Sequence, residues 1–315
     1  MNTFFLVHKG NPEYLKLSIN SIKQNNSNCN IVLIGDEANA KLSNVEHCDI
    51  KEVSTMAQKF ASIYKHLSPN SYDYEFFCIC RWFYILEYMK NNNISSAYYQ
   101  DSDVILNCDI SDVFLNDKYL YCFDSGHTSY FTIEILNRLC EFIFDMYENR
   151  FEELLSIYDM KKHNNQNEGI SDMTLISLFA FNNENMVRDL SRRFNNSIFD
   201  HNVNCCDGCQ MIYGKKMIFL NNGEIMVKDN KVNKYISMRS IHFQGDSKRY
   251  MKYIVNYPDE KGIYYFDYPL LKWIIFNDNK VLSENKFQHI VLKFKDIKYK
   301  ITKKIEILKA FKSKE

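Results

Sequence analysis

Short apolar runs alternate along the chain with polar stretches whose apolar positions keep helical spacing. Residues 3–8 read as a first strand, and Asn11-Pro12-Glu13 reads as a helix start. There Asn is expected to cap, Pro to fill the first helical position, and Glu to complement the positive helix end. Leu15, Ile19 and Ile22 recur at steps of four and three, giving that helix one apolar face. Ile31-Val32-Leu33-Ile34 is wholly apolar and is closed by Gly35-Asp36, the pattern of a central parallel strand. Strand, helix, strand is the order found in nucleotide-binding sheets.

A second such unit follows. A helix is expected over residues 75–89, then a turn at Asn91-Asn92-Asn93, then a strand ending on Asp101. Loops after the carboxyl ends of parallel strands are where open α/β sheets bind ligands, so Asp101 stands where a site is expected. Further on, residues 130–147 and 171–181 read as helices, the second capped by Ser171. Residues 211–226 read as a hairpin turning at Asn221-Asn222-Gly223. Neither repeats nor a Pro/Gly linker interrupts the pattern. The expectation is an α/β, Rossmann-like domain over residues 1–285, with a mainly parallel central sheet flanked by helices.

Charge separates the remaining residues, 286–315. The 315-residue chain has a net charge of zero, yet this tail carries ten lysines against three acids. Ile290, Phe294, Ile297, Ile301, Ile305, Leu308 and Phe311 form an apolar stripe beside them. A basic amphipathic helix of this kind suits an anionic membrane surface. It equally suits docking on the protein's own core with a solvated lysine face. No stretch approaches the ~18 apolar residues that span a bilayer, and the run Phe4 to Val7 is too short for a signal-peptide core. A cytoplasmic protein is expected, peripheral on the membrane if the tail binds it. The ten cysteines then read as reduced thiols. His201, Cys205, Cys206 and Cys209 offer either a zinc site or buried and loop thiols.

The chemistry concentrates at Asp101-Ser102-Asp103. On an extended strand the two carboxylates share a side and can converge on one hard divalent cation. With 39 acidic residues in the chain, acid-x-acid arises by chance roughly five times, so context must carry the inference. A second signal lies at Ile241-His242-Phe243-Gln244-Gly245-Asp246-Ser247-Lys248. It offers an imidazole that is either a metal ligand or a structural residue, a glycine permitting close backbone approach, and a cation for phosphate.

Together the two segments resemble the retaining glycosyltransferases of the glycogenin and bacterial lipooligosaccharide galactosyltransferase type, which have the GT-A fold. The resemblance covers about residues 1–255. It implies that Asp101, Asp103 and His242 bind Mn2+ or Mg2+, with Lys248 and Gly245 at the diphosphate of a nucleotide-diphosphate sugar, expected to be a UDP-sugar. Arg81 looks like the family's arginine against the sugar nucleotide, or else is a helix-surface charge. Asp172 matches an acidic residue facing donor and acceptor, or else is a helix-start carboxylate. Residues 124–130 occupy the position of the family's loop under the donor sugar, departing from its usual Asn-x-Gly.

Val7, His8 and Asp36, with Ser102, are expected to line the nucleoside end, although His8 is equally a plain loop residue. An inverting reaction would need Asp172 or Glu168 as base toward the acceptor hydroxyl; a retaining one would leave that proton to the donor phosphate, with Asp172 supporting the cationic sugar. The His-Phe-Gln-Gly string favours retention. The expected acceptor is a glycan, a lipid-linked acceptor or a protein, with surface polysaccharide synthesis the favoured setting; the expected partners are a nucleotide sugar and a carbohydrate-containing acceptor, with no nucleic acid. The alternatives are a non-catalytic glycan- or membrane-binding protein of the same fold, and a nucleotidyltransferase. The missing Gly-rich phosphate loop counts against the latter.

Overall fold

The computed structural model describes residues 2–113, 120–122, 126–164, 168–193 and 196–276. The chain divides into two compact units, Met1–Phe194 and Asn195–Glu315. The basic tail over 286–315 and residues 124–125 of the expected donor loop lie outside the described residues.

The first unit runs β1 (Asn2–Val7), α1 (Glu13–Asn25), β2 (Cys29–Gly35), β3 (Glu46–Asp49), α2 (Thr55–Ala61), α3 (Tyr72–Asn91), β4 (Ser96–Gln100), β5 (Val104–Leu106), β6 (Leu120–Cys122), β7 (Thr128–Thr132), α4 (Ile133–Glu148), α5 (Phe151–His163), α6 (Asp172–Asn182) and β8 (Val187–Asp189). Its sheet has the order β3-β2-β1-β4-β7-β6-β8. The pairs β3/β2, β2/β1 and β1/β4 are parallel, and β7 lies antiparallel to both β4 and β6. The α/β class and the parallel centre agree with the sequence reading. Phe4 to Val7 and Ile31 to Gly35 are buried without alternation, as strands covered on both faces are.

Aromatic packing fills the space under the helices. Phe60 on α2 meets Phe76 and Phe83 of α3 and Phe144 and Tyr147 of α4 at ring separations of 5.0 to 6.1 Å. Rings at such separations add to the energy of the area they bury. Ser71 caps α3 by accepting from the Tyr74 N–H, and Ser171 forms a capping box at α6, as its position suggested.

Three local expectations are corrected. Pro12 itself is the residue before the first helical turn of α1, and Asn11 lies outside it. The helix expected from residue 130 starts at Ile133, since residues 128–132 pair with β4 and Thr132 caps α4 instead. A buried apolar strand running directly into an apolar helix gives no break in periodicity. The single hairpin expected over 211–226 is two, belonging to the second unit.

That unit contains β9 (Ser197–Phe199), β10 (Met211–Ile212), β11 (Lys215–Lys216), β12 (Ile218–Asn221), β13 (Glu224–Asp229), β14 (Lys234–His242), α7 (Met251–Ile254), β15 (Ile263–Asp267) and β16 (Lys272–Ile275). Its strands run β16-β15-β12-β13-β14 in antiparallel pairs, with β9 parallel to β14. β10 and β11 turn at Tyr213-Gly214, and β12 and β13 at Asn222-Gly223. All four turn residues have positive φ, as two-residue turns matching strand twist require.

Two glycines separate backbone freedom from space. Gly223 has φ +88 with nothing near a would-be Cβ, whereas at Gly126 (φ +67) a Cβ would sit 2.7 Å from Trp82 and from Ile176. Gly223→Ala is expected to cost about 1 kcal/mol of strain. Gly126→Ala should cost about 2 kcal/mol more through overpacking. Urea denaturation of the two variants would show equal losses if Gly126 were not under Trp82.

Candidate functional site

The carboxyl ends of β2, β1 and β4 lie side by side, which places Asp36, Val7 and Asp101 along one edge of the first sheet. β4 ends at Gln100, and the next residues turn. The Asp101 N–H donates to His127 O (2.8 Å) and the Val104 N–H to Asp101 O (3.1 Å). Asp101-Ser102-Asp103 therefore sits in a tight turn between β4 and β5, not on an extended strand as its alternation suggested. Asp101 is half-buried, while Ser102 and Asp103 are buried.

Arg81 organises this corner from the middle of α3. Its Nη1 donates to Asp101 Oδ1 (2.6 Å) and to the Tyr99 hydroxyl (2.7 Å), and Tyr99 donates in turn to the same Asp101 oxygen. On its other edge Nε donates to Asp172 Oδ2 (2.9 Å), and Nη2 pairs with that oxygen as well. Asp172 opens α6, where Oδ1 accepts the Met173 N–H at 2.9 Å. One guanidinium thus bridges two carboxylates and leaves the cluster a net charge of −1.

Burial decides the electrostatics. It pushes the Asp172 carboxyl up to about 6, against the pull of Arg81. Burial also works against the charge on Arg81, yet Asp101 and Asp172 outweigh it and hold that group well above its ordinary value. The Tyr99 hydroxyl is raised well above its usual range, chiefly by burial, and stays a donor. The partners of Asp101 fall on Oδ1, so Oδ2 is the oxygen available to a ligand.

At the neighbouring strand ends, Nδ1 of His8 lies 3.0 Å from the Ser102 hydroxyl. Both oxygens of Asp36 accept from the Gly10 N–H at 3.0 Å. The fully buried Asn39 ties this edge together, donating to His8 O and Gly10 O and accepting from the Asp36 N–H. Glu168 has its side chain 70% exposed and is paired with Lys161 at 3.6 Å.

In the second unit His242 ends β14 and is buried. Its Nδ1 lies 2.6 Å from His201 O, and a carbonyl only accepts, so Nδ1 carries a proton, which in the neutral ring leaves the lone pair on Nε2. Gly245 has φ +63 with open space around a would-be Cβ, and Lys248 follows half-buried in the 3-10 turn Gly245–Tyr250. Cys209 is buried and Cys206 exposed, with the Cys206 thiol bonded to Cys209 O (3.3 Å). Among the described residues His201, Cys205, Cys206 and Cys209 do not bring three ligand atoms together.

Sequence reasoning missed Tyr99 and Asn39. Tyr99 had a signal, since it stands two residues before Asp101 at the end of the same strand. Asn39 had none, because its partners His8, Gly10 and His47 are brought to it by the tertiary fold.

No family model and no curated protein matches the sequence. Solved structures similar to it include the apo form of mouse xyloside xylosyltransferase 1 (11% identity, 62% of this chain and 87% of that one, TM-score 0.44). An active-site mutant of LgtC is similar at 12% identity over 82% of this chain and 98% of that one, TM-score 0.42. The glycosyltransferase GlyE of Streptococcus pneumoniae TIGR4, in its apo form, is similar at 14% identity over 60% and 44%, TM-score 0.31. Likenesses at these scores decide nothing about the activity of this chain.

The bridge makes a signed prediction. Arg81→Met leaves two carboxylates uncompensated, one of them buried, and is expected to cost about 3 to 5 kcal/mol at pH 8. Below pH 6 Asp172 takes up a proton more readily, so the loss should shrink by pH 5. Thermal denaturation at both values checks this, and an equal loss at each would contradict it.

Proposed function

We propose that this chain is a metal-dependent glycosyltransferase of the GT-A fold, moving a sugar from a nucleotide-diphosphate donor, a UDP-sugar by preference, to a carbohydrate-containing acceptor. The observation that carries the reading is the Arg81 bridge between Asp101 and Asp172 at the carboxyl end of β4, beside the ends of β1 and β2. Such an edge is where open α/β sheets bind nucleotides. The sequence resemblance supplies the family.

In this reading Asp101, Asp103 and His242 hold Mn2+ or Mg2+. The donor set fits, being two carboxylates and a histidine whose Nδ1–H is already engaged, so that Nε2 is the ligand atom. When bound, the ion would neutralise charge that develops on the departing diphosphate. Lys248 binds the same diphosphate, and the open backbone at Gly245 lets phosphate approach closely. Val7, His8, Asp36 and Ser102 form the nucleoside end. Arg81 holds Asp172 ionised and aimed, so that it either supports the cationic sugar or takes a proton from the acceptor hydroxyl. Glu168, exposed against Lys161, is the remoter candidate for that base. Retention of configuration is the preferred outcome. The acceptor is read as a surface glycan, with the basic residues 286–315 bringing a cytoplasmic protein to the membrane. Among the described residues no helix is long and apolar enough to cross a membrane.

Incubation with several UDP-sugars and Mn2+ should show slow donor hydrolysis, and Asp103→Asn should lower it about 100-fold or more. Complete inactivity with every donor, or full activity in the variant, would sink the proposal. The rate should also fall as pH drops through about 6, where Asp172 becomes protonated and stops serving as base or as support for positive charge. A profile flat from pH 5 to 7.5 would remove Asp172 from the chemistry.

A further inference from the structure

The second unit contains a buried ion cluster that the proposed reaction does not use. Lys216, on β11, is completely buried, and its ammonium contacts three acceptors. These are Asp200 Oδ1 (2.7 Å), Asp207 Oδ2 (2.5 Å) and the carbonyl of Asn202 (2.8 Å). Asp200 is also completely buried, and Asp207 is the exposed arm of the group. A lysine with no solvent contact costs several kcal/mol to desolvate unless each N–H finds an acceptor. Here each does, and Asp200 and Asp207 hold the ammonium above its ordinary pKa although burial opposes them.

The three acceptors belong to one short segment, and that segment holds His242. Asp200 Oδ2 accepts the His242 backbone N–H (3.0 Å), and the His242 carbonyl accepts the Val203 N–H (3.0 Å). The imidazole Nδ1–H donates to the carbonyl of His201, which lies between the two residues that Lys216 grips. β11 is tied to the same segment through the Lys216 N–H to Val203 O (2.7 Å), and the Lys216 carbonyl accepts from buried Tyr268 (2.8 Å). His242 is therefore fixed at its N–H, its carbonyl and its ring by Asp200, Val203 and His201, and one lysine pins that stretch.

We infer that Lys216, acting through Asp200 and the carbonyl of His201, is the positioning residue that sets the tautomer and aim of His242 as a ligand for a divalent cation. The inference rests on the metal reading above. The cause is geometric, because a histidine ligand must present one nitrogen with its lone pair while the other is locked as a donor. Without the clamp the carbonyl at residue 201 is no longer held 2.6 Å from Nδ1, and the ring loses its preference for the Nδ1–H form.

The test uses the full chain in three forms. The variants are Lys216→Met and the charge-neutral pair Lys216→Met with Asp200→Asn, the second in case an unpaired Asp200 prevents folding. Long-range 1H–15N spectra of 15N-histidine-labelled protein without metal, with His242 assigned from a His242→Gln variant, should show the Nδ1–H tautomer in the parent and a mixture in the variants. Titration calorimetry with Mn2+ in the presence of UDP should show affinity at least about 10-fold weaker in the variants. A folded variant that keeps both the parent tautomer and the parent affinity would overturn the inference. A parent chain that binds no Mn2+ would instead overturn the metal reading beneath it, while the tautomer measurement would still show whether Lys216 orders the ring.

Discussion

The first unit is held in working shape by one guanidinium with two obligations. Arg81 reaches from α3 to Asp101 at the end of β4 and to Asp172 at the start of α6, elements 20 and 91 residues away in sequence. The planar fork of arginine can serve partners on two edges at once, which an ammonium cannot do with the same fixed geometry. Because the cluster is largely out of water, a missing partner is more costly than a present one is stabilising. That asymmetry makes the position of α6 relative to the β4 turn all but obligatory. The aromatic cluster around Phe60 fills the core, but it does not choose which residue of α3 faces the strand edge.

The sequence made some of this legible and hid the rest for physical reasons. Ile31 to Ile34 announced a central strand because a strand buried on both faces has nowhere to place a polar residue. Ser171 announced α6 because a helix start needs an acceptor for its unpaired N–H groups. By contrast, Thr128 to Thr132 concealed β7, since a short buried strand continuing into an apolar helix has the same composition as the helix. The turn at Asp101 was hidden too. Two acids one residue apart look alike on a strand and in a turn, and only the bonds from Val104 and to His127 O distinguish them.

At the site, the residue types that carry charge were visible and their pairing was not. Arg81, Asp101 and Asp172 each stood out as candidates for ligand contact. That they meet one another is a property of the tertiary fold, because nothing local to α3 records what packs against its middle. Asn39 and Lys216 mark the limit more sharply. Both are polar residues made indispensable by burial, and burial of a single polar residue in a loop or a short strand leaves no periodic trace.

Sequence separation gives the Lys216 clamp a further consequence. Asp200 and His242 are 42 residues apart, and β9 must align beside β14 before they meet. Contacts that close long loops form late, after the entropy of closure has been met by other pairings. The local hairpins of the second unit can form early, but the stretch carrying His201 is stitched to β14 only as the unit completes. Until then the His242 N–H and ring are without the Asp200 carboxylate and the His201 carbonyl that hold them in the completed unit.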